Sequence, residues 1–293
     1  MHVFITGGTG LVGSAVVAEL INNGHSVLAL TRSDRAAQAI TAAGTAPLRG
    51  SLSDLDILRQ GARQTDGVVH LAFANDFSSP EALAAGVAEE TAALTALGKE
   101  LVGTNRPLVT VSGTPWVAGR ASTERDPLPT EGPVGGRGRA VNATLALASH
   151  GVRSMSVRLP RTVHNKGTGG FAGMLTRFAR QTGQSSYPGD GEQRWPAVHA
   201  LDAAVLFRLA LERGEPGTAW HAVADEGDKV RDIAAVIGRK LGLPVASATA
   251  ETFGALGPIF AADQPASSDH TRKTLGWEPK QPSLLADLEN IVA

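Results

Sequence analysis

The sequence of 293 residues contains no cysteine, one tyrosine and no long uninterrupted run of apolar residues. Without cysteine the protein can have no disulfide, no thiolate metal site and no cysteine nucleophile, which fits a reducing, cytoplasmic location. No stretch is long enough to cross a bilayer, and the apolar run at 2–6 leads straight into a glycine-rich loop, which predicts no cleavable leader. Neither sign of charge is in excess, with a formal net charge of -1, so we expect neither nucleic acid nor a membrane surface as a partner.

Short apolar runs alternate with longer stretches of helical period, which is the pattern of repeated strand-helix-strand units. Predicted strands lie at 2–6, 26–31, 46–49, 67–71, 107–112, 153–159 and 218–223, and predicted helices at 11–23, 34–43, 54–62, 80–102, 138–149, 171–182, 201–213, 229–241 and 283–292. Right-handed crossovers between such strands give an α/β fold with a doubly wound, mostly parallel sheet of the Rossmann type. The length allows a large domain at 1–160 and a smaller C-terminal substrate lobe at 161–293, with part of 200–225 returning to the sheet. The stretch 115–138 is too long for a plain connector and predicts a functional or mobile loop.

A glycine-rich loop follows the first predicted strand, with the sequence Thr6-Gly7-Gly8-Thr9-Gly10-Leu11-Val12-Gly13. Glycines let the backbone turn sharply and approach a pyrophosphate, while the helix that follows presents free N–H groups and the positive end of its dipole. Because the loop lies between an apolar strand and an amphipathic helix, it predicts a dinucleotide site rather than a mere tight turn. The residues expected to form that site are Thr6, Gly7, Gly10, Leu11, Val12 and Gly13.

The end of the second predicted strand indicates which dinucleotide is bound. About twenty residues after a loop of this kind, an NAD-binding protein typically carries a carboxylate that binds the ribose. This sequence has Arg32 there, and a guanidinium suits the 2′-phosphate of NADP. Arg35 lies close enough to assist, and Ser33 is either a further contact or, like Asp34, the cap of the next helix. We therefore expect NADP(H) to be preferred over NAD(H), with a solvated charge at a strand end as the alternative for Arg32.

These features resemble the short-chain dehydrogenase/reductase superfamily, in particular its extended branch of nucleotide-sugar epimerases, dehydratases and hydroxysteroid dehydrogenases. Besides the glycine loop, the resemblance rests on Gly50-Ser51-Leu52-Ser53-Asp54, His70-Leu71-Ala72-Phe73, Val111-Ser112-Gly113-Thr114, Arg158-Leu159-Pro160 and Val198-His199-Ala200-Leu201-Asp202. It implies that Ser51 and Leu52 lie at the adenine, where these proteins usually carry aspartate. Further positions implied along the cofactor are Leu71, Ala72, Phe73 and Pro160. His70 can equally be a packed histidine at the strand end.

The chemistry of the superfamily needs a hydroxyl residue after the fifth strand and a Tyr-x-x-x-Lys pair, in which lysine lowers the pKa of the tyrosine. The resemblance implies Thr114 as the hydroxyl residue, with Ser112 in reserve. The tyrosine is missing, because the only one is Tyr187 and no lysine stands four positions after it. When the predicted helix before the strand at 153–159 is aligned with that motif, Gly135 falls at the tyrosine position and Arg139 at the lysine position. A guanidinium holds its proton too tightly to be an acid, so Arg139 is expected to be an anchor, with an exposed helix charge as the alternative.

Another acid would then be needed, and His164 lies where the superfamily passes the nicotinamide and the substrate. Histidine titrates near neutrality and could donate a proton to an alkoxide, although a structural histidine is an equal alternative. Residues suited to a substrate pocket by aromatic or basic character are Tyr187, Arg194, Trp195 and His199, of which the last two could instead be hinge packing. The histidines are scattered and lack carboxylate partners at ligand spacing, so no metal site is expected.

The leading interpretation is an NADP-dependent oxidoreductase that transfers a hydride between nicotinamide and a small or medium organic carbonyl, or an imine. The first alternative is a non-catalytic or weakly catalytic NADP-binding redox sensor, which would keep the glycine loop and lose the tyrosine and lysine. The second is a nucleotide-sugar epimerase or dehydratase, against which the missing tyrosine argues. The expected partner is a small-molecule substrate, and the resemblance also allows a homodimer through the helices at 80–102 and 138–149.

Overall fold

The computed structural model describes residues 1–74, 76, 79–132 and 135–292. Its strands are β1 (His2–Thr6), β2 (Ser26–Thr31), β3 (Ala46–Arg49), β4 (Gly67–His70), β5 (Pro107–Gly113), β6 (Arg153–Leu159), β7 (Thr162–His164), β8 (Ser185–Pro188), β9 (Arg194–His199), β10 (Thr218–His221), β11 (Asp225–Lys229) and β12 (Val245–Ala248). All seven strands predicted from the sequence are present, each within two residues at either end.

The helices are α1 (Leu11–Asn22), α2 (Asp34–Ala42), α3 (Leu55–Arg63), α4 (Pro80–Leu101), α5 (Gly135–Ala146), α6 (Gly170–Thr182), α7 (Ala200–Arg213), α8 (Val230–Leu241), α9 (Gly257–Ala261), α10 (Asp269–Leu275) and α11 (Leu284–Leu288). Short 3-10 segments lie at Leu147–His150 and Ala250–Leu256. Across the described ranges, no helix is both long enough and apolar enough to span a membrane. The predicted helix at 138–149 begins three residues earlier than expected, and this shift matters for the site below.

Seven parallel strands form the main sheet in the order β10-β6-β5-β4-β1-β2-β3. The order reverses between β1 and β4, so their carboxyl ends diverge into loops on opposite sides and leave a crevice there. The central strands β1, β4 and β5 are almost wholly buried, because helices cover both faces of the sheet, whereas the edge strand β3 is largely exposed. The fold is therefore α/β and doubly wound, as predicted.

Alternate residues of β1 face two separate cores. Val3 and Ile5 pack with α1 and α7 on one face, while Phe4 packs with α3 and α4 on the other. Gly61 of α3 lies directly over the Phe4 ring, where an added Cβ would come within 2.5 Å of Cζ. The missing side chain thus lets α3 approach the sheet closely enough to enclose the phenylalanine.

A smaller lobe follows the sixth strand. It contains the three-stranded sheet β11-β9-β7 and the two-stranded sheet β12-β8. Its core is aromatic, with Trp195 in edge contact with Phe171 and Phe260 at centroid distances of 5.8 and 5.2 Å. The chain returns to the main sheet before the lobe is complete, since β10 pairs in parallel with β6. All five strands of the lobe were missed, because they are only three to six residues long and one of them, Asp225–Lys229, is wholly polar apart from glycine.

The segment between β5 and α5 is fastened to the C-terminal part of the chain. Ser122 forms a parallel bridge with Ala266. The buried Glu124 carboxylate accepts hydrogen bonds from the backbone N–H and the hydroxyl of Thr271, at 2.9 and 2.6 Å. These contacts cover only part of the predicted functional loop at 115–138, since Pro133 and Val134 lie outside the described residues.

Candidate active site

A cavity of about 690 Å³ opens at the carboxyl ends of β1, β4, β5 and β6. It is lined by Gly7, Gly10, Leu11, Val12, Gly13, Leu71, Phe73, Val111, Ser112, Gly113, Thr114, Arg137, Leu159, Pro160, Arg161, Phe171, Met174, Leu256, Ile259 and Gln264. The crevice where the strand order reverses is where an open α/β sheet binds its ligand. The cavity thus brings the glycine loop and the residues after the fifth strand to one place.

The glycines of the loop have separate geometric tasks. Gly7 has a left-handed backbone with φ 76°, and a Cβ there would lie 2.8 Å from the backbone nitrogen of Ala72. At Gly13 a Cβ would lie 2.0 Å from the carbonyl oxygen of Gly7, so glycine is needed for α1 to start against the loop. At Gly10 the nearest atom would be 3.5 Å away, so glycine there leaves open the space above the helix N-terminus. Such a cradle has room for a pyrophosphate.

Thr6 joins the carboxyl ends of β1 and β4. Its hydroxyl oxygen accepts from the backbone N–H groups of Leu71 and Ala72, each at 3.2 Å, and lies 2.9 Å from Nδ1 of His70. Burial lowers the pKa of His70 to about 4, and the positive charge of Arg137 acts in the same direction. His70 is therefore a neutral, packed residue at the strand end that fixes the loop carrying Leu71 and Phe73.

Three arginines lie near the carboxyl ends of β2 and β3. Arg32 and Arg35 are exposed, and Arg49 at the end of β3 pairs with Asp34 at 3.3 Å. Ser33 caps α2, accepting from the N–H of Ala36 at 3.2 Å. The carboxylate of Asp34 is therefore paired with Arg49 and not with Arg32 or Arg35. Arg49 was not singled out from the sequence, because a charge on the edge strand β3 has no motif to mark it.

The expected adenine contacts lie after β3. Leu52 is buried in the core, whereas Ser51 is half-buried. Both the backbone N–H and the hydroxyl of Ser51 donate to Asp54, at 2.7 and 2.9 Å. Neither Ser51 nor Leu52 lines the cavity. An adenine contact from these two residues therefore stays a prediction.

Thr114 and Ser112 both line the cavity at the end of β5. Ser112 is occupied, since its hydroxyl bonds to that of Ser156 at 2.8 Å. Thr114 is buried, with 6% of its surface exposed, and its hydroxyl has no hydrogen-bond partner among the described residues. Its carbonyl oxygen accepts from the side-chain amide of Gln264 at 2.7 Å, which holds the backbone in place. A buried hydroxyl left without a partner is uncommon, and this one belongs to a residue of the cavity wall.

The basic residue of α5 that lines the cavity is Arg137, and the choice of Arg139 from the sequence is corrected. Arg139 is exposed and donates to the carbonyl oxygen of Thr130. Arg137 lines the cavity, forms a two-fold ion pair with the buried Glu90 at 2.7 and 2.8 Å, and lies 4.0 Å from the centroid of the Phe73 ring. Two residues turn a helix by about 200°, so Arg137 and Arg139 lie on opposite faces of α5.

His164 lies behind the cavity wall rather than in it. It is 1% exposed, and its Nδ1 lies 3.0 Å from Oδ2 of Asp287, which also accepts from the N–H of Gly167 at 3.0 Å. Burial alone would raise the pKa of Asp287, but the hydrogen bonds from His164 and Gly167 outweigh it and lower the pKa. The His164 ring does not reach the ligand space, so the geometry does not support its role as the acid.

His199 completes a buried group with His164 and Asp287. Their ligand-capable atoms lie within 4.8 Å of one another, and the two imidazole centroids are 5.3 Å apart. Nδ1 of His199 accepts the N–H of Leu201 and so caps α7. The expectation of scattered histidines without carboxylate partners is corrected in this respect, because the fold brings together residues 35 and 88 positions apart in the sequence.

The Asp287 contact predicts a loss of stability on substitution. Asp287→Asn removes the charge from the hydrogen bonds to His164 and Gly167, and we expect the free energy of unfolding to fall by about 1 to 3 kcal/mol. Urea denaturation would measure this free energy, provided that its linear dependence on urea concentration has the same slope in both proteins. Asp56→Asn is the control, because that carboxylate is 96% exposed and pairs only with Arg59. An equal effect of the two substitutions would contradict a structural role for Asp287.

The substrate residues expected in the second lobe lie elsewhere, and this expectation is corrected. Arg194 pairs with Asp263 at 2.8 Å, Trp195 is fully buried in the aromatic core, and His199 caps a helix. The lobe instead contributes cavity residues from the link between β6 and β7, from α6 and from the segment before α10. These are Arg161, Phe171, Met174, Leu256, Ile259 and Gln264. Apart from the position of Arg161 directly after Pro160, no sequence signal could have identified them.

Trp116 stands two residues beyond Thr114. It is 59% exposed, and its indole N–H donates to the carbonyl oxygen of Asp263 at 2.9 Å. Thr114 and Gln264 make the neighbouring hydrogen bond between the same two segments. An exposed tryptophan is thus fixed at the edge of the site.

Comparison with known proteins places the chain in a family. A family model described as the NAD dependent epimerase/dehydratase family matches residues 3–222. The chain belongs to this family. An uncharacterised protein of Schizosaccharomyces pombe is 42% identical over 294 residues, covering 98% of each chain.

Two further similar proteins are more distant. The 2-alkyl-3-oxoalkanoate reductase of Stenotrophomonas maltophilia is 29% identical over 230 residues, covering 75% of this chain and 68% of that one. A solved UDP-glucose 4-epimerase of Thermotoga maritima has a TM-score of 0.80 at 20% identity, covering 99% of this chain and 97% of its own. The last likeness shows that the fold is shared.

For a member of the epimerase/dehydratase family, the position of the single tyrosine is informative. Tyr187 lies in β8 of the smaller lobe, against Gly191, and is not among the residues that line the cavity. The expectation of Tyr187 as a substrate contact is corrected accordingly. Within the described cavity wall, the polar side chains are those of Ser112, Thr114, Arg137, Arg161 and Gln264.

Proposed function

We propose that the protein is an NADP-dependent oxidoreductase, with a non-standard active site, that acts on a small or medium organic carbonyl compound. The observation that carries the proposal is one cavity lined both by Gly7 of the glycine loop and by Thr114, whose hydroxyl has no hydrogen-bond partner among the described residues. A cofactor cradle at one end and a hydrogen-bond donor at the other are the parts that hydride transfer to a carbonyl requires. The name of the Stenotrophomonas maltophilia relative, a 3-oxoalkanoate reductase, supports the same class of reaction.

The residues present fit a dinucleotide. The space that Gly10 leaves above the start of α1 would take the pyrophosphate. Arg32 and Arg35, with Ser33 between them, would take the 2′-phosphate, and Leu71 and Phe73 would border the rest of the cofactor. When bound, NADPH would supply the hydride, leaving NADP⁺ and, with one proton from water, an alcohol.

The protein would contribute position and polarity. Thr114 would donate a hydrogen bond from its hydroxyl to the carbonyl oxygen of the substrate, which stabilises the negative charge that develops there. Arg137, fixed by Glu90, would keep positive charge near the same region without giving up its proton. An imine would need no proton on oxygen and is the second substrate class. The apolar wall formed by Phe171, Met174, Leu256 and Ile259 would hold the carbon skeleton.

The cofactor preference is tested by calorimetric titration with NADPH and NADH. Arg32→Glu places a carboxylate at the end of β2, and we expect the dissociation constant of NADPH to rise by about 10- to 100-fold, because a charge-assisted contact becomes a repulsion. The affinity for NADH should change by no more than about 3-fold, since NADH carries no 2′-phosphate. A wild type that binds both dinucleotides equally would contradict the NADP preference.

Arg125→Glu serves as the control, because Arg125 is exposed, lies outside the cavity and gives the same change in net charge. It should leave both affinities unchanged. A screen of ketones, aldehydes and imines with NADPH then tests the activity. Binding of NADPH without turnover of any such compound would favour the redox sensor, and the absence of dinucleotide binding would overturn the proposal.

A further inference from the structure

The charges in the cavity wall have one sign. Among the described lining residues the charged ones are Arg137 and Arg161, and none is acidic. The charge of Arg137 is offset by the buried Glu90, which lies behind the wall. Arg161 therefore supplies the uncompensated positive charge of the site.

Among the described residues, none forms an ion pair with the guanidinium of Arg161. Nη1 donates to the carbonyl oxygen of Ile259 at 2.7 Å, and the guanidinium carbon lies 5.2 Å from the centroid of the Phe171 ring. Nε is enclosed and has no hydrogen-bond partner within the described chain. The nearest acid to act on it, Asp263, is held by two hydrogen bonds from the Arg194 side chain at 3.0 and 2.8 Å.

Such an arrangement costs free energy unless an anion binds. Burial lowers the pKa of Arg161 to about 10, and Asp263 only partly offsets this. The side chain is nevertheless charged at neutral pH. A desolvated guanidinium that spends one of its five donors on a backbone carbonyl is ready for a carboxylate, which matches both its charge and its planar geometry.

Arg161 and Thr114 are connected through one short segment of the smaller lobe. Ile259 accepts from Arg161, and Gln264 donates to the carbonyl oxygen of Thr114. Both side chains line the same cavity together with apolar residues. A small molecule in this cavity would lie between walls that include both residues.

We propose that Arg161 binds a carboxylate of the substrate, so that the preferred substrate is an oxo acid, with its carbonyl oxygen at Thr114. The inference rests on the proposed function and narrows its substrate class. One unpaired guanidinium matches one negative charge, and the apolar walls match a short carbon chain between the two oxygen-bearing groups.

The test compares oxo acids with their neutral methyl esters in the full chain with NADPH. The panel contains 2-oxo, 3-oxo and 4-oxo acids, each beside its ester. For the preferred chain length we expect kcat/KM to be about 10- to 100-fold higher for the acid than for the ester, the range given by a hydrogen bond to a charged group. Arg161→Gln should remove this preference, mainly through a higher KM for the acid. Arg161→Lys should restore part of it.

Arg177→Gln is the matched control, because Arg177 lies exposed on α6 outside the cavity and its loss changes the net charge equally. It should leave the preference for the acid unchanged. Esters that are reduced as well as acids by the wild type would overturn the inference. So would an Arg161→Gln variant whose NADPH dissociation constant, measured by calorimetry, rises as much as its KM, because Arg161 would then hold the cofactor.

Failure of the proposed function gives a different result. If NADPH binds and neither acids nor esters are reduced, the oxidoreductase proposal fails, and binding of 3-oxobutanoate in the presence of NADP⁺ then decides about Arg161. Calorimetric binding to the wild type that is lost in Arg161→Gln and kept in Arg177→Gln supports the carboxylate site. No binding to the wild type overturns it.

Discussion

Replacing Gly13 with alanine is expected to abolish dinucleotide binding. The added Cβ would lie 2.0 Å from the carbonyl oxygen of Gly7 and 2.8 Å from its carbonyl carbon. Because these are backbone atoms, the loop must move away from the start of α1 and its N–H groups no longer converge on the pyrophosphate. We expect the dissociation constant of NADPH to rise by at least about 100-fold. The free energy of unfolding should fall by about 1 to 3 kcal/mol through overpacking.

Two other glycine substitutions separate the effect on NADPH binding from the effect on stability. Gly10→Ala meets no atom closer than 3.5 Å, so it should weaken NADPH binding by filling the cradle while leaving the free energy of unfolding unchanged. Gly173→Ala in α6, where the nearest atom would be 3.7 Å away, should alter neither quantity adversely. Unchanged NADPH binding in Gly13→Ala would show that the ligand lies elsewhere.

Thr114→Val is expected to lower kcat by about 100- to 1,000-fold, the usual effect of removing one donor to a developing oxyanion. The two side chains have nearly the same shape, and the hydroxyl of Thr114 has no partner among the described residues. The substitution should therefore leave the free energy of unfolding unchanged or raise it. Steady-state kinetics with NADPH and the best carbonyl compound from the screen, together with urea denaturation, would measure both.

Thr110→Val is the matched control for Thr114. Thr110 also lies in β5, is fully buried and has a hydroxyl without a partner in the described part of the chain, but it is not in the cavity wall. Its substitution should leave kcat unchanged. Thr114→Ser keeps the hydroxyl and should retain most of the activity. Full turnover by Thr114→Val would exclude the hydroxyl from the reaction.

Prediction from the sequence succeeded where one local pattern fixes the structure. The glycine loop leads from β1 into α1, and Gly13 is required by its contact with the backbone of Gly7, only six residues earlier. The strand ends near Leu71 and Thr114 follow from the parallel order. These elements determine most of the fold and the cradle of the site. Local sequence patterns therefore predict the side of the cavity that is formed by the ends of the sheet strands.

The opposite wall could not be predicted, because it depends on distant parts of the chain. Arg137 differs from Arg139 only in which face of α5 it occupies, and no local pattern fixes the start of that helix. Gln264 reaches Thr114 across 150 positions, and Asp287 reaches His164 across 123. Trp195 and Tyr187 are residue types that are common in binding sites, yet both pack within the smaller lobe and neither lines the cavity.

The four tryptophans differ sharply in their access to solvent. Trp195, Trp220 and Trp277 are fully buried, whereas Trp116 is 59% exposed beside Thr114 and Gln264. A water-soluble quencher such as iodide therefore reaches one indole in four, at the long-wavelength edge of the emission. The protein thus carries an intrinsic fluorescent reporter two residues from Thr114, without any label.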